Sequence, residues 1–219
     1  FRGLYDYDGK YFFSGSYRRD ASSRFHPDHW WGNFYSIGAA YLISREDWFK
    51  TNWVDLLKIK FSIGQQGNDN IGNFRYIDTY TIKNNNDELS LAFASKGNKD
   101  ITWETNTNMN LGVEFELFKH KLTGSFEFFN RKTTDMLMAF PTAPSLGYSS
   151  YYANVGDMSN KGIEVDLNFT PIRSKNVQWD INVNLTHLKN KIISLPPERR
   201  TKEVEGYYGY AGSSFFYGQ

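Results

Sequence analysis

Apolar and polar residues alternate one by one along residues 101–130, on both sides of a short turn at residues 118–121. Side chains alternate between the two faces of a β-strand, whereas a helix would scatter the same residues around its circumference. The pattern therefore predicts a β-hairpin with one apolar and one acidic, amide-rich face. Its strands are each roughly 15 residues long, although strands of soluble sheets rarely exceed about 10. The apolar positions are Met109, Leu111, Val113, Phe115, Leu117, Leu122, Phe126 and Phe128.

The same alternation predicts six further strands, at residues 1–7, 10–18, 33–43, 55–64, 162–169 and 179–186. Asp8 and Gly9 join the first two because this dipeptide tolerates the positive φ of a tight turn. Residues 44–47 predict a helical turn capped by Ser44. The aromatic residues that follow it suit a membrane interface. The chain is therefore expected to be all-β, with about eight antiparallel strands.

The connections between these strands are of two kinds that occur in strict order. Short or compact connections lie near Asp8, Lys50, His120 and Ser174. Long ones, which begin near Arg19, Gln65, Ala139 and Asn190, alternate with them. Short turns at one end and long loops at the other are typical of an outer-membrane β-barrel, whose long loops face outside. Strands that cross a band about 25 Å tall also explain the unusual length.

Composition is consistent with a barrel and excludes several other classes. The chain has 219 residues, a formal charge of +1 and no cysteine, which argues against nucleic-acid binding and excludes disulfides. No apolar run approaches the roughly 20 residues of a transmembrane helix. The four dispersed histidines predict no metal site, although a weak site at His26 and His29 is an alternative. The chain begins at Phe1 without an initiator methionine, so we expect it to be a segment of a longer protein.

The polar faces of the predicted strands carry many charges, which favours a large barrel over a closed eight-stranded one. An eight-stranded interior is barely wide enough for its own side chains. Edge strands left open in lipid would cost several kcal/mol per unpaired polar group, so we expect further strands outside this chain. The charged positions assigned to the lumen are Lys58, Lys60, Glu114, Glu116, Glu127, Arg131, Glu164 and Asp166.

Five motifs, in order, resemble the C-terminal part of the barrel of SusC/RagA-type TonB-dependent transporters of the Bacteroidetes outer membrane. They are residues 18–25 (RRDASSRF), 31–34 (WGNF), 64–72 (GQQGNDNIG), 101–104 (ITWE) and 154–164 (NVGDMSNKGIE). The resemblance covers almost the whole chain. Ala21 departs from the family pattern where glycine is common, as do Gln65 and Gln66 where a small or aliphatic pair is usual, which leaves ligand contacts in the loops open.

The resemblance implies that residues 1–219 are part of a single transmembrane domain of a 22-stranded plugged barrel. It implies import of glycan oligomers or peptides across the bacterial outer membrane, with a SusD-like surface lipoprotein as partner. Energy would come from the TonB complex through a plug that lies outside this chain, as do the remaining strands. No cofactor and no enzymatic activity are implied.

The long loops combine aromatic rings with amide and carboxylate groups, which can stack on sugar rings or bind a peptide backbone. The candidate ligand contacts are Asn68, Asp69, Asn70, Tyr148, Tyr151 and Tyr152, with ordinary loop packing as the alternative. A calcium loop at residues 67–72 is a further alternative, but it lacks the ligand spacing of an EF-hand.

Two other function classes remain open from the sequence. A small outer-membrane barrel with enzymatic activity would need a convergent catalytic group, but Asp180 and His187 are seven residues apart and no Gly-Xaa-Ser-Xaa-Gly motif occurs. An adhesin or a soluble β-sandwich predicts instead a protein that stays in water without detergent.

Overall fold

The structure is a computed structural model that describes residues 1–85, 88–142, 144–148 and 150–195, and the backbone of residues 202–204, 207–209 and 216–217. The strands in these residues are β1 Arg2–Tyr7, β2 Tyr11–Ala21, β3 Trp31–Leu42, β4 Val54–Asn68, β5 Thr79–Asn85, β6 Glu88–Ser95, β7 Glu104–Leu117, β8 Leu122–Thr134, β9 Leu137–Pro141, β10 Ser150–Asn154, β11 Asp157–Arg173, β12 Gln178–Ser194, β13 Lys202–Val204, β14 Tyr207–Gly209 and β15 Phe216–Tyr217. Short 3-10 helices occur at Pro27–His29, Ile43–Arg45 and Pro144–Leu146.

Eight of these strands form one antiparallel sheet in the order β1-β2-β3-β4-β7-β8-β11-β12. The predicted eight-strand meander is confirmed, and the two strands of the central hairpin pair with Val113 opposite Phe126 and Leu111 opposite Phe128. Strands β11 and β12 reach 17 residues each. Such lengths are those of membrane-crossing strands rather than of an ordinary soluble sheet.

Several predicted boundaries were wrong by a few residues. Strand β7 begins at Glu104 rather than at residue 101, and β11 continues through Pro171 to Arg173. The helical turn begins at Ile43, and Leu42 occupies the N-cap position without a side-chain hydrogen bond, so the predicted cap at Ser44 is wrong.

Instead of a cap, hydrogen bonds to Glu46 tie down the helical turn. The Tyr11 hydroxyl donates to Glu46 Oε1 at 2.7 Å, and the Tyr41 hydroxyl donates to the same oxygen at 3.1 Å. The bond from Tyr11 is the main cause that lowers the pKa of Glu46, with burial acting in the opposite direction. A carboxylate therefore holds the short β3–β4 connection against the strands it joins.

The two faces of the sheet differ as the alternation predicts. One face carries apolar residues such as Leu111, Phe126, Phe128 and Leu185, which are exposed because the sheet has no second layer behind it. The other face is polar and lines a concave space, so it is the lumen side. Phe129 is an exception: it lies on the polar face and is buried, with its ring against Gly162.

The ends of the sheet also differ as expected. At one end, the β1–β2, β7–β8 and β11–β12 connections have three or four residues, and the β3–β4 connection is compact but has eleven. At the other end, the β4–β7 and β8–β11 connections have 35 and 22 residues, whereas the β2–β3 connection has nine and is shorter than predicted. Two of the long connections contain hairpins of their own, β5–β6 and β9–β10, where the sequence had indicated only extended loops. A small core of Phe25, Ile71 and Ile101 lies among these outer loops.

Within the described residues, β1 and β12 each pair with a strand on one side only. Open strand edges are costly in lipid because their backbone polar groups are left unpaired. Among the described residues, no helix is both long and apolar enough to cross a membrane.

Candidate functional site: lumen wall and outer loops

A row of ion pairs crosses three strands on the lumen face. Lys60 Nζ lies 3.0 Å from Glu114 Oε1 and 3.1 Å from Glu127 Oε2, and Lys58 Nζ lies 3.2 Å from Glu114 Oε2. These residues come from β4, β7 and β8, whose pairing brings Lys58 opposite Glu114 and Lys60 opposite Gly112. Gly112 leaves room for the lysine, since a Cβ there would lie 2.7 Å from Lys60 Cε. The lumen assignment of both lysines is therefore consistent with the structure.

A polar recess of about 830 Å³ lies along the lumen face of β2, β3, β4 and β7. Its floor consists of small residues such as Ser14, Ser36 and Gly64, whose short side chains leave open space along the lumen face of these strands. Arg18 and Arg131 also line it. Arg18 pairs with Asp20 at 2.7 Å, and the Arg131 guanidinium lies 5.0 Å from the centre of the Phe129 ring. The recess offers hydroxyl, amide and cationic groups to whatever occupies the lumen.

The outer-loop core was not foreseen from the sequence, because its residues come from segments with no periodicity. Phe25 and Ile101 are fully buried, and Trp103 packs on Phe25 with ring centroids 5.3 Å apart. Trp30 Nε1 donates to the carbonyl of Phe25 at 2.8 Å. These contacts join the β2–β3 loop to the segment before β7 and thus fix the shape of the outer rim.

Residues 68–70 lie at this rim and bind neighbouring loops. Asn68 ends β4 and its Nδ2 donates to Glu104 Oε1 at 2.9 Å, while its Oδ1 accepts the backbone N–H of Asn70 at 3.0 Å. Asp69 Oδ2 accepts the hydroxyl of Ser22 at 2.7 Å, and the Asp69 carbonyl accepts Arg24 Nη1 at 2.9 Å. The amide and carboxylate groups of Asn68 and Asp69 are therefore engaged in holding the rim.

The three candidate tyrosines lie on two sides of the β9–β10 hairpin. Tyr148 and Tyr151 line a cleft of about 680 Å³, together with Phe140 and Lys96. Tyr152 points the other way: it packs against the outer-loop core, and its ring lies 4.7 Å from the Arg75 guanidinium carbon. Two of the three tyrosines are thus placed together in a cleft, and the third is separated from them.

The β5–β6 hairpin borders this cleft and is anchored through Asp78. Lys96 Nζ lies 3.0 Å from Asp78 Oδ1, and the backbone N–H of Gly97 donates to the same oxygen at 2.8 Å. The bond from Gly97 is the largest cause that lowers the pKa of Asp78, followed by the bond from Lys96. A β-bridge between Lys96 and Tyr151 connects this segment to β10. The two outer hairpins therefore form one connected surface.

Alternative chemistry finds no support in the described residues. They contain no group of three or more histidine and carboxylate side chains that could hold a metal ion. His26 Nδ1 lies 3.2 Å from Asp28 within the Pro27–His29 turn, and no third ligand joins them. Asp180 accepts bonds from Thr170 and Gln178, far along β12 from His187. Asp180 and His187 therefore do not form the catalytic pair that an enzymatic barrel would need.

The family model for "TonB dependent receptor-like, beta-barrel" matches residues 1–213. The chain belongs to this family. It is a family of outer-membrane receptors rather than of enzymes, which agrees with the arrangement of the lumen face and the outer loops.

The curated relatives are also TonB-dependent receptors. TonB-dependent receptor P39 of Formosa agariphila is 35% identical over 212 residues, which are 96% of this chain and 20% of that protein. TonB-dependent receptor SusC of Bacteroides thetaiotaomicron is 30% identical over 196 residues, 85% of this chain and 20% of that protein. The chain thus spans about a fifth of the length of the curated relatives it matches.

Solved structures show the same fold. The RagAB peptide importer in its closed-closed state superposes with a TM-score of 0.86 and 30% identity, over 95% of this chain and 24% of that one. The siderophore receptor PirA from Pseudomonas aeruginosa superposes with a TM-score of 0.52 at 13% identity, over 90% of this chain and 36% of that one, which shows a shared fold alone. The resemblance to SusC/RagA-type barrels is confirmed.

Proposed function

We propose that the protein to which this chain belongs imports oligomeric nutrients across the bacterial outer membrane. Residues 1–219 would form part of a single multi-pass barrel domain, a segment of its wall and several of its outer loops. The observation that carries this proposal is the eight-stranded meander with a charged and polar lumen face, which superposes on the RagAB peptide importer over 95% of the chain.

The same proposal places the other parts of the transporter outside this chain. The further strands would close a barrel of 22, and a plug domain within it would receive energy from the TonB complex. The lumen recess supports the proposal of a plug inside the barrel, because its small lining residues leave space in which a plug or a passing substrate can lie.

A SusD-like surface lipoprotein is the proposed partner at the outer end. The outer loops support this partner, because one face of the β5–β6 hairpin carries large apolar side chains that are exposed to solvent. Leu89, Leu91 and Ile82 are all more than 70% exposed. Isolated exposed apolar residues are ordinary, but a contiguous patch marks an interaction site.

The substrate is proposed to be a peptide or a glycan oligomer, with Tyr148 and Tyr151 as contacts in the cleft. Aromatic rings that line an open cleft can stack on sugar rings or cover peptide side chains. Tyr152, Asn68, Asp69 and Asn70 complete the proposed set. Their side-chain or backbone groups are engaged within the rim, so they would contribute by shaping it as well as by direct contact.

Uptake by cells that carry the full-length protein tests this function. We expect labelled peptides or oligosaccharides to accumulate, and accumulation to stop when TonB is inactivated. The variant Tyr148→Ala/Tyr151→Ala should lower uptake, since it removes both rings from the cleft. The matched control is Phe74→Ala, which removes an exposed outer-loop ring that does not line the cleft.

The outcomes separate the parts of the proposal. If uptake of both substrate classes is the same with and without the protein, import is refuted. If uptake depends on TonB but the tyrosine variant and the Phe74 control behave alike, import stands and the cleft is not a substrate contact. Purification without a co-purifying lipoprotein would count against the partner.

A further inference from the structure

Four lysines lie on the exterior face of the sheet at its outer end. They are Lys132 on β8, Lys161 on β11, and Lys189 and Lys191 on β12. Their positions share the parity of the lipid-facing residues on each strand, so they point away from the lumen. All four are exposed. We call these residues the exterior lysine patch.

The strand register places the four lysines close together. Lys161 pairs directly with Lys189, and Ser159 pairs with Lys132 on one side and with Lys191 on the other. The Cβ atoms of directly opposed residues on neighbouring strands lie about 5 Å apart. Two adjacent rows of the sheet therefore concentrate four positive charges on three strands.

The patch lies where the apolar surface ends. The next row below it is apolar on two of its strands, with Ile163 opposite Phe128, although His187 occupies the same row on β12. On β12, ten residues separate Trp179 near the short turn from Lys189. At about 3.3 Å per residue and a tilt of about 40°, this distance spans roughly 25 Å, the height of the lipid-facing band. Lys189 is thus at the outer boundary of the hydrocarbon region.

The patch has no ion-pair partner in the described part of the chain. None of its four lysines forms an ion pair there. The carboxylates at the adjoining strand ends are Asp135 and Asp157, and Asp157 Oδ1 accepts the backbone N–H of Asp135. Like charges directly opposed across a pair of strands destabilise a sheet. An external anion at this position would remove that cost.

We propose that the exterior lysine patch binds the phosphate group of a phosphorylated glycolipid in the outer leaflet. The ammonium groups would make charge-assisted hydrogen bonds to the phosphate oxygens. The acyl chains would lie along Phe128, Ile163 and Leu185 on the apolar surface directly below. This continuity with the lipid-facing surface favours a lipid headgroup over phosphate free in solution.

The site is separate from the transport path. The lumen side of the same rows carries Asn160, whose Oδ1 accepts the side-chain amide of Asn190, and Gly162, which meets the Phe129 ring. No lysine of the patch lines the lumen recess or the tyrosine cleft. Lipid binding here is therefore expected to be independent of substrate binding, and the two can be measured apart.

Native mass spectrometry of the full-length transporter in mild detergent tests the site. The probes are monophosphoryl lipid A, the same lipid after phosphatase treatment, and inorganic phosphate. We expect the phosphorylated lipid to bind more tightly than the dephosphorylated one, and Lys161→Gln/Lys189→Gln to weaken it about 30-fold, or about fivefold per lysine. Lys161→Arg/Lys189→Arg should retain binding because the charge is kept.

The matched control is Lys121→Gln/Lys175→Gln, which removes two lysines from the short turns at the opposite end of the sheet. It should leave the affinity for the phosphorylated lipid unchanged. Equal binding of the phosphorylated and dephosphorylated lipids would overturn the proposal. So would an unchanged affinity in the Lys161→Gln/Lys189→Gln variant, or effective competition by millimolar inorganic phosphate, which would indicate a site for free anions.

Discussion

Replacing Phe25 by alanine should loosen the outer rim without unfolding the barrel wall. The Phe25 side chain is fully buried and packs with Ile71 and Ile101 in a core formed by residues of the outer loops. Removing a buried phenylalanine costs about 3 to 5 kcal/mol where the cavity does not collapse. The Trp30 indole bond is to the Phe25 carbonyl, so it can survive the substitution.

Hydrogen exchange on the full-length protein measures this effect locally. A loss of 3 kcal/mol or more corresponds to at least about 100-fold faster exchange through local opening. We expect this in residues 22–30, 69–78 and 96–103, which surround the core, while amides of β7 and β8 keep their protection. Phe25→Leu fills most of the cavity and should cost only roughly 1 to 2 kcal/mol.

Phe74→Ala serves as a second control, because it removes a ring of the same type from an exposed position in the same loop region. The reasoning is refuted if Phe25→Ala exchanges like the unchanged protein at the rim. It is equally refuted if rim and strands lose protection together, since that would make the outer-loop core part of one cooperative unit with the sheet.

Three further predictions follow from single contacts. Lys60→Met should lower the thermal midpoint of the detergent-solubilised barrel only slightly, because the side chains of its ion pairs to Glu114 and Glu127 are about one-third exposed. Ion pairs with this exposure contribute about 1 kcal/mol or less. A shift of many degrees in a heat-modifiability gel would contradict this reasoning. Gly67→Val should destabilise the outer end of β4 by about 1 to 3 kcal/mol, since even a Cβ would clash with the Phe34 ring and lie 2.7 Å from the Trp103 ring; unchanged exchange of β4 amides would show that these rings can move. Acidification should release the β5–β6 hairpin, because the pKa of Asp78 is lowered in the folded state. The stabilisation by its hydrogen bonds is complete above the ordinary pKa of 3.8 and is lost as the pH falls through the lower folded-state pKa. Proteolysis by pepsin across this pH range measures the release, and Asp78→Asn should remove the pH dependence.

The positions of the three candidate tyrosines depend on a hairpin that the sequence pattern does not indicate. Tyr148, Tyr151 and Tyr152 are neighbours in sequence and were grouped on that basis. Strand β10 sends adjacent side chains to opposite faces, so Tyr151 lines the cleft while Tyr152 packs against the outer-loop core. The hairpin itself was not predicted, because residues 137–154 are interrupted by two prolines and lack a regular alternation.

The exterior lysine patch illustrates a related case. The sequence shows Lys132, Lys161, Lys189 and Lys191 as separate residues with polar neighbours. Only the register of three strands brings them into two adjacent rows on one face. A shift of one residue in any pairing would send that strand's lysines to the lumen, because successive side chains point to opposite faces.

The sequence by itself determined the all-β class, the eight-strand meander, the apolar and polar faces, and the alternation of short and long connections. These properties depend on a period of two and on turn residues, both of which are local and therefore readable along the chain. Tertiary structure alone decided the outer-loop core of Phe25, Ile71 and Ile101, the ion pairs of Lys60, and the separation of Tyr152 from the cleft. Each of these joins residues that are distant in sequence, and their contacts depend on register and loop docking rather than on any local pattern.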